Sequence, residues 1–161
     1  TDPDAVRLAA WYHDAVYDPG AGDNEERSAE LAWRRGFELG FPPRGVEEAR
    51  RLILATRHYA GAPSAQGDEA LIRDIDLAIL GQGACRYRAY ERRIAREYAH
   101  LPPERFRAGR AALLRGFLES ARIYSSELFR GRYERRARRN LARACARLLS
   151  PGGAAAPGSA R

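Results

Sequence analysis

The sequence contains no lysine and no methionine, only two cysteines, and no long run of apolar residues. Two cysteines without CxxC spacing exclude a disulfide framework, so we expect a reduced, cytoplasmic protein. Apolar runs such as Leu52–Ala55 and Leu77–Leu80 are far shorter than the roughly 20 residues with which a helix crosses a bilayer. The sequence therefore predicts no membrane segment.

What remains is the composition of one globular domain: 161 residues, of which 45% are hydrophobic and 30% are charged. All 28 basic side chains are arginine, and they are unevenly distributed. Residues 1–81 hold 9 arginines against 15 acids, whereas residues 82–161 hold 19 against 6. The first half therefore supplies surplus carboxylates, and the second half forms a basic scaffold.

The apolar periodicity and the positions of proline and glycine predict an all-α bundle of six to seven helices, without strands. Residues 1–149 form one helical domain, and the Pro/Gly/Ala/Ser-rich tail 150–161 is predicted to be disordered. Loops are expected at 18–22 and 61–67, where glycine and proline cluster. The first predicted helix runs from Pro3 to about Tyr17, the second is capped by Asp23 or Asn24 and stopped by 40–43, and the third carries Val46 and ends near Tyr59. The others run over about Asp68 to Leu80, Arg86 to Ala99, Pro103 to Ser120 and Ser125 to Leu149.

His13 and Asp14 lie at adjacent positions of the first predicted helix, which is apolar almost all round. Helical spacing places His13 on the side of Ala9, facing the core, and small alanines there leave room for an ion. The structural alternative is a core histidine beside a solvent-exposed pair of Arg7 and Asp14.

The short helix over 68–80 carries Asp74 and Asp76 on either flank of an aliphatic arc. A carboxylate among so many aliphatic side chains must be solvated, paired with arginine or bound to a metal, because an uncompensated buried charge is costly. Helical geometry does not choose between the two aspartates.

A third candidate is His58, at the end of the third predicted helix. It either caps that helix as an imidazolium or belongs to one site with His13, Asp14 and an aspartate of the short helix. Two of the three histidines thus belong to one constellation, with His13 and Asp14 before His58 and an aspartate after it. Imidazole and carboxylate ligands suit divalent Mn, Fe, Co, Ni, Zn or Mg. We therefore expect a divalent metal ion as cofactor.

Four segments together resemble the predicted metal-dependent phosphohydrolases of the HD superfamily, and within it a small bacterial branch. They read WYHDAVYD (11–18), NEERSA (24–29), TRH (56–58) and DIDLAILG (74–81), and the resemblance covers residues 1–149. It implies a helical fold and one divalent metal held by an early histidine, a His-Asp pair and a later aspartate. The pair corresponds to His13 and Asp14, and the later aspartate to Asp76, with Asp74 as an alternative ligand or a group that orients one.

The early histidine has no counterpart after Thr1. The resemblance places it on a helix before that residue, so we expect the chain to lack an N-terminal segment and its metal site to be empty or only partly occupied.

The implied activity is hydrolysis of a phosphate ester or nucleotide-type substrate by metal-activated water. Asp14 or Glu25 would accept the proton of the water, although Glu25 also fits the first turn of a helix. His58 would contact phosphate, act as a general acid or bind a second metal, and Arg27 and Arg57 would hold the phosphate.

Two other functions remain open: a catalytically degenerate HD scaffold and an arginine-rich module that binds nucleic acid. The second rests on the last helix, where arginines such as Arg135, Arg139 and Arg143 accompany an apolar stripe. A solvated basic face explains the same pattern. Neither the substrate nor the oligomeric state follows from the sequence.

Overall fold

The structure, a computed structural model, describes residues 1–57 and 65–150, and this part of the chain is all-α. Two helices continue as short 3-10 turns, Ala55–Arg57 and Leu77–Ile79. The last helical part of the described chain, 127–149, contains a π-helical stretch, Arg130–Glu134. The α-helices are α1 (Pro3–Tyr12), α2 (Asn24–Glu38), α3 (Pro43–Leu54), α4 (Gly67–Asp76), α5 (Ala84–Glu97), α6 (Pro103–Glu119), α7 (Glu127–Phe129) and α8 (Arg135–Leu149).

Because α7, the π-helical stretch and α8 follow one another without a break, the described residues form seven helical rods. The predicted all-α fold is thereby confirmed, and no strand occurs in the ranges 1–57 and 65–150. No helix within these ranges combines the length and the apolar composition needed to cross a membrane. Of the predicted disordered tail 150–161, residues 151–161 lie outside the described residues, as do 61–64 of the predicted loop 61–67.

The prediction that the first helix reaches Tyr17 is wrong, because α1 ends at Tyr12. The backbone turns there, with the amide of Ala15 donating to the carbonyl of Tyr12. The next amide, that of Val16, donates to the Ser28 hydroxyl on α2 instead of continuing the helical ladder. A tertiary contact from α2 thus replaces the last helical turn that the sequence pattern suggested.

Two groups of buried side chains form the interior, and the segment containing α4 links them. The first group lies between α1, α2, α3 and α4, with Leu52, Ile53 and Ile72 fully buried. The second is built mainly from α6, α8 and the chain between α6 and α7, with Tyr124 and Leu141 at its centre. The C-terminal end of α4 lies between them, which fixes its position from both sides.

Candidate metal centre

His13, Asp14 and Asp76 converge where α1 and α4 end. Nε2 of His13 lies 3.5 Å from Oδ2 of Asp14 and 3.4 Å from Oδ1 of Asp76. One ligand atom from each residue falls within 4.8 Å of the others, and within 1–57 and 65–150 no other group of three or more His, Cys, Asp or Glu meets this condition. The alternative pair of Arg7 and Asp14 does not form, because Arg7 binds Asp4 instead.

The ring of His13 has a fixed orientation that leaves one nitrogen for a ligand. His13 caps α1, and its Nδ1 lies 3.0 Å from the carbonyl oxygen of Ala10. A carbonyl oxygen only accepts hydrogen bonds, so Nδ1 carries the proton. The lone pair of Nε2 in the neutral ring then faces the two carboxylates, which is the arrangement of histidines that bind metals.

The separations between these atoms suit a single small cation. In a tetrahedral site with metal–ligand distances of about 2.1 Å, neighbouring ligand atoms lie about 3.4 Å apart, and the two His13 contacts are 3.5 and 3.4 Å. The C-terminal ends of α1 and α4 also meet here. Each such end carries up to about half an elementary negative charge, which favours a cation.

Without a cation, the two carboxylates hold a proton on the imidazole. The pKa of His13 rises from 6.5 to about 9, first because its ring is hydrogen-bonded to Asp76, while partial burial acts in the opposite direction. The negative charges of Asp76 and Asp14 raise the pKa further. The site therefore attracts positive charge in its metal-free form.

Asp14 is the most accessible of the three residues, with 67% of its side chain exposed. Its pKa is raised, first because the surrounding protein removes part of its hydration, and further by the charges of Asp76, Glu25 and Glu97 against the lowering effect of His13. Since the side chain remains mostly in water, these charges contribute little to folding stability. They do show that Glu25 and Glu97 lie near the site.

The loop after Asp14 is held by side chains of α2. The hydroxyl of buried Ser28 accepts from the amide of Val16 at 3.1 Å and donates to its carbonyl at 3.2 Å. Asn24 makes a second reciprocal pair, accepting from the amide of Asp18 and donating to its carbonyl. Asn24 and Ser28, both in the NEERSA segment, thus fix the course of the chain after Asp14.

Asp74 points away from His13 and serves another purpose. Its side chain is 1% exposed. Oδ1 accepts from the amide of Ser125 at 2.7 Å, and Oδ2 accepts from the amide and hydroxyl of Ser126 at 2.8 and 2.6 Å. With both oxygens occupied, Asp74 anchors the chain that enters α7. Of the two aspartates that the sequence left open, Asp76 is the one beside His13.

The two arginines predicted to hold phosphate have other partners, and one predicted residue lies outside the described chain. Arg57 donates to Glu26 and to the carbonyl of Gly22, so its guanidinium is already engaged. Arg27 is exposed, with a 3.9 Å ion pair to Asp23. His58 lies outside the described residues.

Sequence reasoning missed the contribution of α5 to this region. The hydroxyls of Tyr17 and Tyr98 lie 3.3 Å apart, which links the loop after α1 to the end of α5. Glu97 raises the pKa of both Tyr17 and Asp14. The only signal in the sequence was the aromatic character of Tyr17 and Tyr98, which does not indicate a distant partner.

The chain matches no family model, no curated protein and no solved structure.

Proposed function

We propose that this protein is a metal-dependent phosphohydrolase of the HD type, with one divalent ion held by His13, Asp14 and Asp76. The proposal is carried by the convergence of these three side chains at separations of 3.4 and 3.5 Å around Nε2 of His13. Three protein ligands are typical of catalytic metal sites, since they leave coordination positions for water and substrate. The resemblance to the HD pattern supports the same assignment.

A divalent ion held by His13, Asp14 and Asp76 would supply a bound water of lowered pKa and a positive charge that polarises a phosphoryl oxygen. In the hydrolysis we propose, the water oxygen bonds to phosphorus, the bond from phosphorus to the ester oxygen breaks, and the leaving oxygen takes up a proton. Asp14 would accept the proton of the attacking water, because it is the most exposed of the three side chains; in the metal-free protein its pKa is raised. Glu25, whose charge contributes to that raised pKa, is the second candidate base.

The substrate we propose is a small phosphate ester or nucleotide-type compound. Arg27 is the better candidate for a phosphate contact, because its ion pair with Asp23 is long and exposed. Arg57 would first have to release Glu26 and the carbonyl of Gly22. A cytoplasmic location, where Cys85 and Cys145 remain free thiols, belongs to the same proposal.

The proposal is tested with bis-p-nitrophenyl phosphate and p-nitrophenyl phosphate in the presence of Mn²⁺, Co²⁺ or Mg²⁺. We expect His13→Ala, Asp14→Asn and Asp76→Asn each to lower turnover by at least about 100-fold. Asp4→Asn is the matched control, because Asp4 is an exposed carboxylate of α1 that pairs with Arg7. Circular dichroism of each variant checks that it remains folded.

Turnover that survives all three ligand substitutions would overturn the mechanism. A protein that binds the ion through these residues and hydrolyses neither ester would instead be the catalytically degenerate scaffold.

A further inference from the structure

The outer face of α8 carries a row of arginines, which we call the arginine stripe. At 100° per residue its members fall within an arc of about 120°, and they extend over about 18 Å of helix. All are exposed, and the helix contains no acidic residue. The members of the stripe are Arg135, Arg136, Arg139, Arg143 and Arg147.

These arginines lack the carboxylate partners that most arginines of the first half have. No member of the stripe forms an ion pair with any described residue, whereas Arg44 alone among the arginines up to residue 81 lacks one there. The nearest acid in sequence, Glu134, is directed inward, where it accepts from the amides of Ile123 and Tyr124 and binds Arg138. The stripe is therefore not neutralised by its own chain.

The arrangement works against the stability of the isolated helix. Arg135, Arg139, Arg143 and Arg147 follow one another at intervals of four residues, and like charges at that spacing destabilise a helix. Such a face is stabilised when a partner supplies a row of negative charges.

The surroundings of the stripe indicate the kind of polyanion. Between the arginines the exposed face of α8 presents Ala142 and Ala146 and no aromatic ring. Proteins that bind single-stranded nucleic acids stack the bases on aromatic rings, so this face does not suit a single strand. The apolar face of α8, with Leu141 and Ala144, is buried in the core, so it is not free to enter a lipid surface. The exposed face of α8 therefore offers guanidinium groups without aromatic rings or a free apolar surface, and guanidinium groups bind phosphates.

We propose that the arginine stripe binds the phosphate backbone of double-stranded DNA without reading its sequence. A helix with side chains is about 10–12 Å wide, and the major groove of B-DNA is about 12 Å wide. The major groove of A-form RNA is too narrow for side chains to enter. This surface is separate from the three metal ligands, so DNA binding requires no metal.

The test is fluorescence anisotropy with a labelled 20-base-pair DNA duplex, titrated at several salt concentrations. Five phosphate contacts predict that the logarithm of the association constant falls with that of salt with a slope near −4.5. The double variant Arg139→Gln/Arg143→Gln is expected to make this slope less negative by about 2 and to weaken binding about tenfold or more. The matched control is Arg34→Gln/Arg35→Gln, which removes the same charge from the exposed side of α2.

Thermal unfolding separates loss of binding from loss of fold, because the stripe variant should be at least as stable as the wild type. Equal weakening by both double variants would overturn the proposal, since binding would then follow net charge alone. Loss of binding on addition of EDTA or in Asp76→Asn would also overturn it, because the metal centre would be the binding site. A preference for single-stranded DNA, duplex RNA or phosphatidylserine vesicles over duplex DNA would do the same.

Discussion

Oδ1 of Asp76 lies 3.4 Å from Nε2 of His13, and this contact joins the C-terminal end of α4 to that of α1. The two helices belong to one packed core, so their ends are held in place by burial and not by the contact itself. A rigid support of this kind is what a ligand pair needs, because metal affinity depends on atoms that are already in position.

Asp74 and Asp76 are two residues apart, but the same substitution should change the stability of the fold much more at Asp74 than at Asp76. Asp74→Asn replaces one accepting oxygen with an NH2 group, which cannot accept the hydrogen bonds that Ser125 and Ser126 donate. We expect this to lower the free energy of unfolding by about 2–4 kcal/mol. Asp76→Asn, at a side chain that is 25% exposed, should change it by less than about 1 kcal/mol when both variants are compared above pH 9, where His13 is neutral and its pairing with Asp76 no longer contributes. Urea denaturation followed by circular dichroism measures both. Equal stability of the two variants would contradict the structural role of Asp74.

The sequence predicted the order of the helices in the described residues, since proline, glycine and apolar periodicity are local signals; the end predicted near Tyr59 lies outside those residues. The first helix was the exception, because its end depends on a contact between Val16 and the distant Ser28. Local patterns carry no record of such a contact.

The candidate site was predictable as a set of residue types but not as a geometry. His13 and Asp14 were recognisable as a pair, yet Asp74 and Asp76 lie on a helix whose rotation depends on packing against two groups of buried residues. The approach of Tyr98 to Tyr17 depends on the placement of α5, which no pattern near either tyrosine encodes.

The pH dependence follows from the imidazole of His13. Its pKa is about 9 in the folded protein against 6.5 ordinarily, so its pairing stabilises the metal-free fold fully below pH 6.5 and ceases to do so as the pH rises through 9. Because a metal must displace this proton, apparent metal affinity should rise with pH up to about 9. NMR titration of the histidine ring protons measures the pKa, and Asp76→Asn should return it towards 6.5. A pKa that does not respond to that substitution would contradict the pairing.

Buried Ser28 should matter for both stability and the metal centre. Ser28→Ala leaves the amide and carbonyl of Val16 without their partner, which should cost about 1–3 kcal/mol and loosen the loop that follows Asp14. Metal affinity should fall by about 10–100-fold, as when a group that supports a ligand is removed. Ser150→Ala, at an exposed hydroxyl that donates to Ala146, is the control and should change neither quantity. Unchanged affinity in Ser28→Ala would show that the loop does not position Asp14.

Two glycines should respond in opposite directions to alanine. A Cβ on Gly81 would lie 2.5 Å from Cβ of Tyr133, so Gly81→Ala must displace the last rod and should destabilise the fold by about 1–3 kcal/mol. Gly109 lies inside α6 with open space around it, and Gly109→Ala should stabilise the fold by about 0.5–1 kcal/mol. Thermal unfolding checks both changes. Destabilisation by Gly109→Ala would contradict the open space beside Gly109, and tolerance of Gly81→Ala would contradict its close contact with Tyr133.

The most direct test is the stoichiometry of metal binding, measured by Mn²⁺ electron paramagnetic resonance on the purified chain and its variants. The resemblance to the HD pattern, with its early histidine missing, led us to expect an empty or partly occupied site, but the three side chains that converge here are the number that catalytic metal sites use. We therefore expect one ion per wild-type chain, its loss in His13→Ala, Asp14→Asn and Asp76→Asn, and its retention in Asp4→Asn. Binding of the ion with unchanged affinity in all three ligand variants would contradict the assignment of His13, Asp14 and Asp76 as a metal centre.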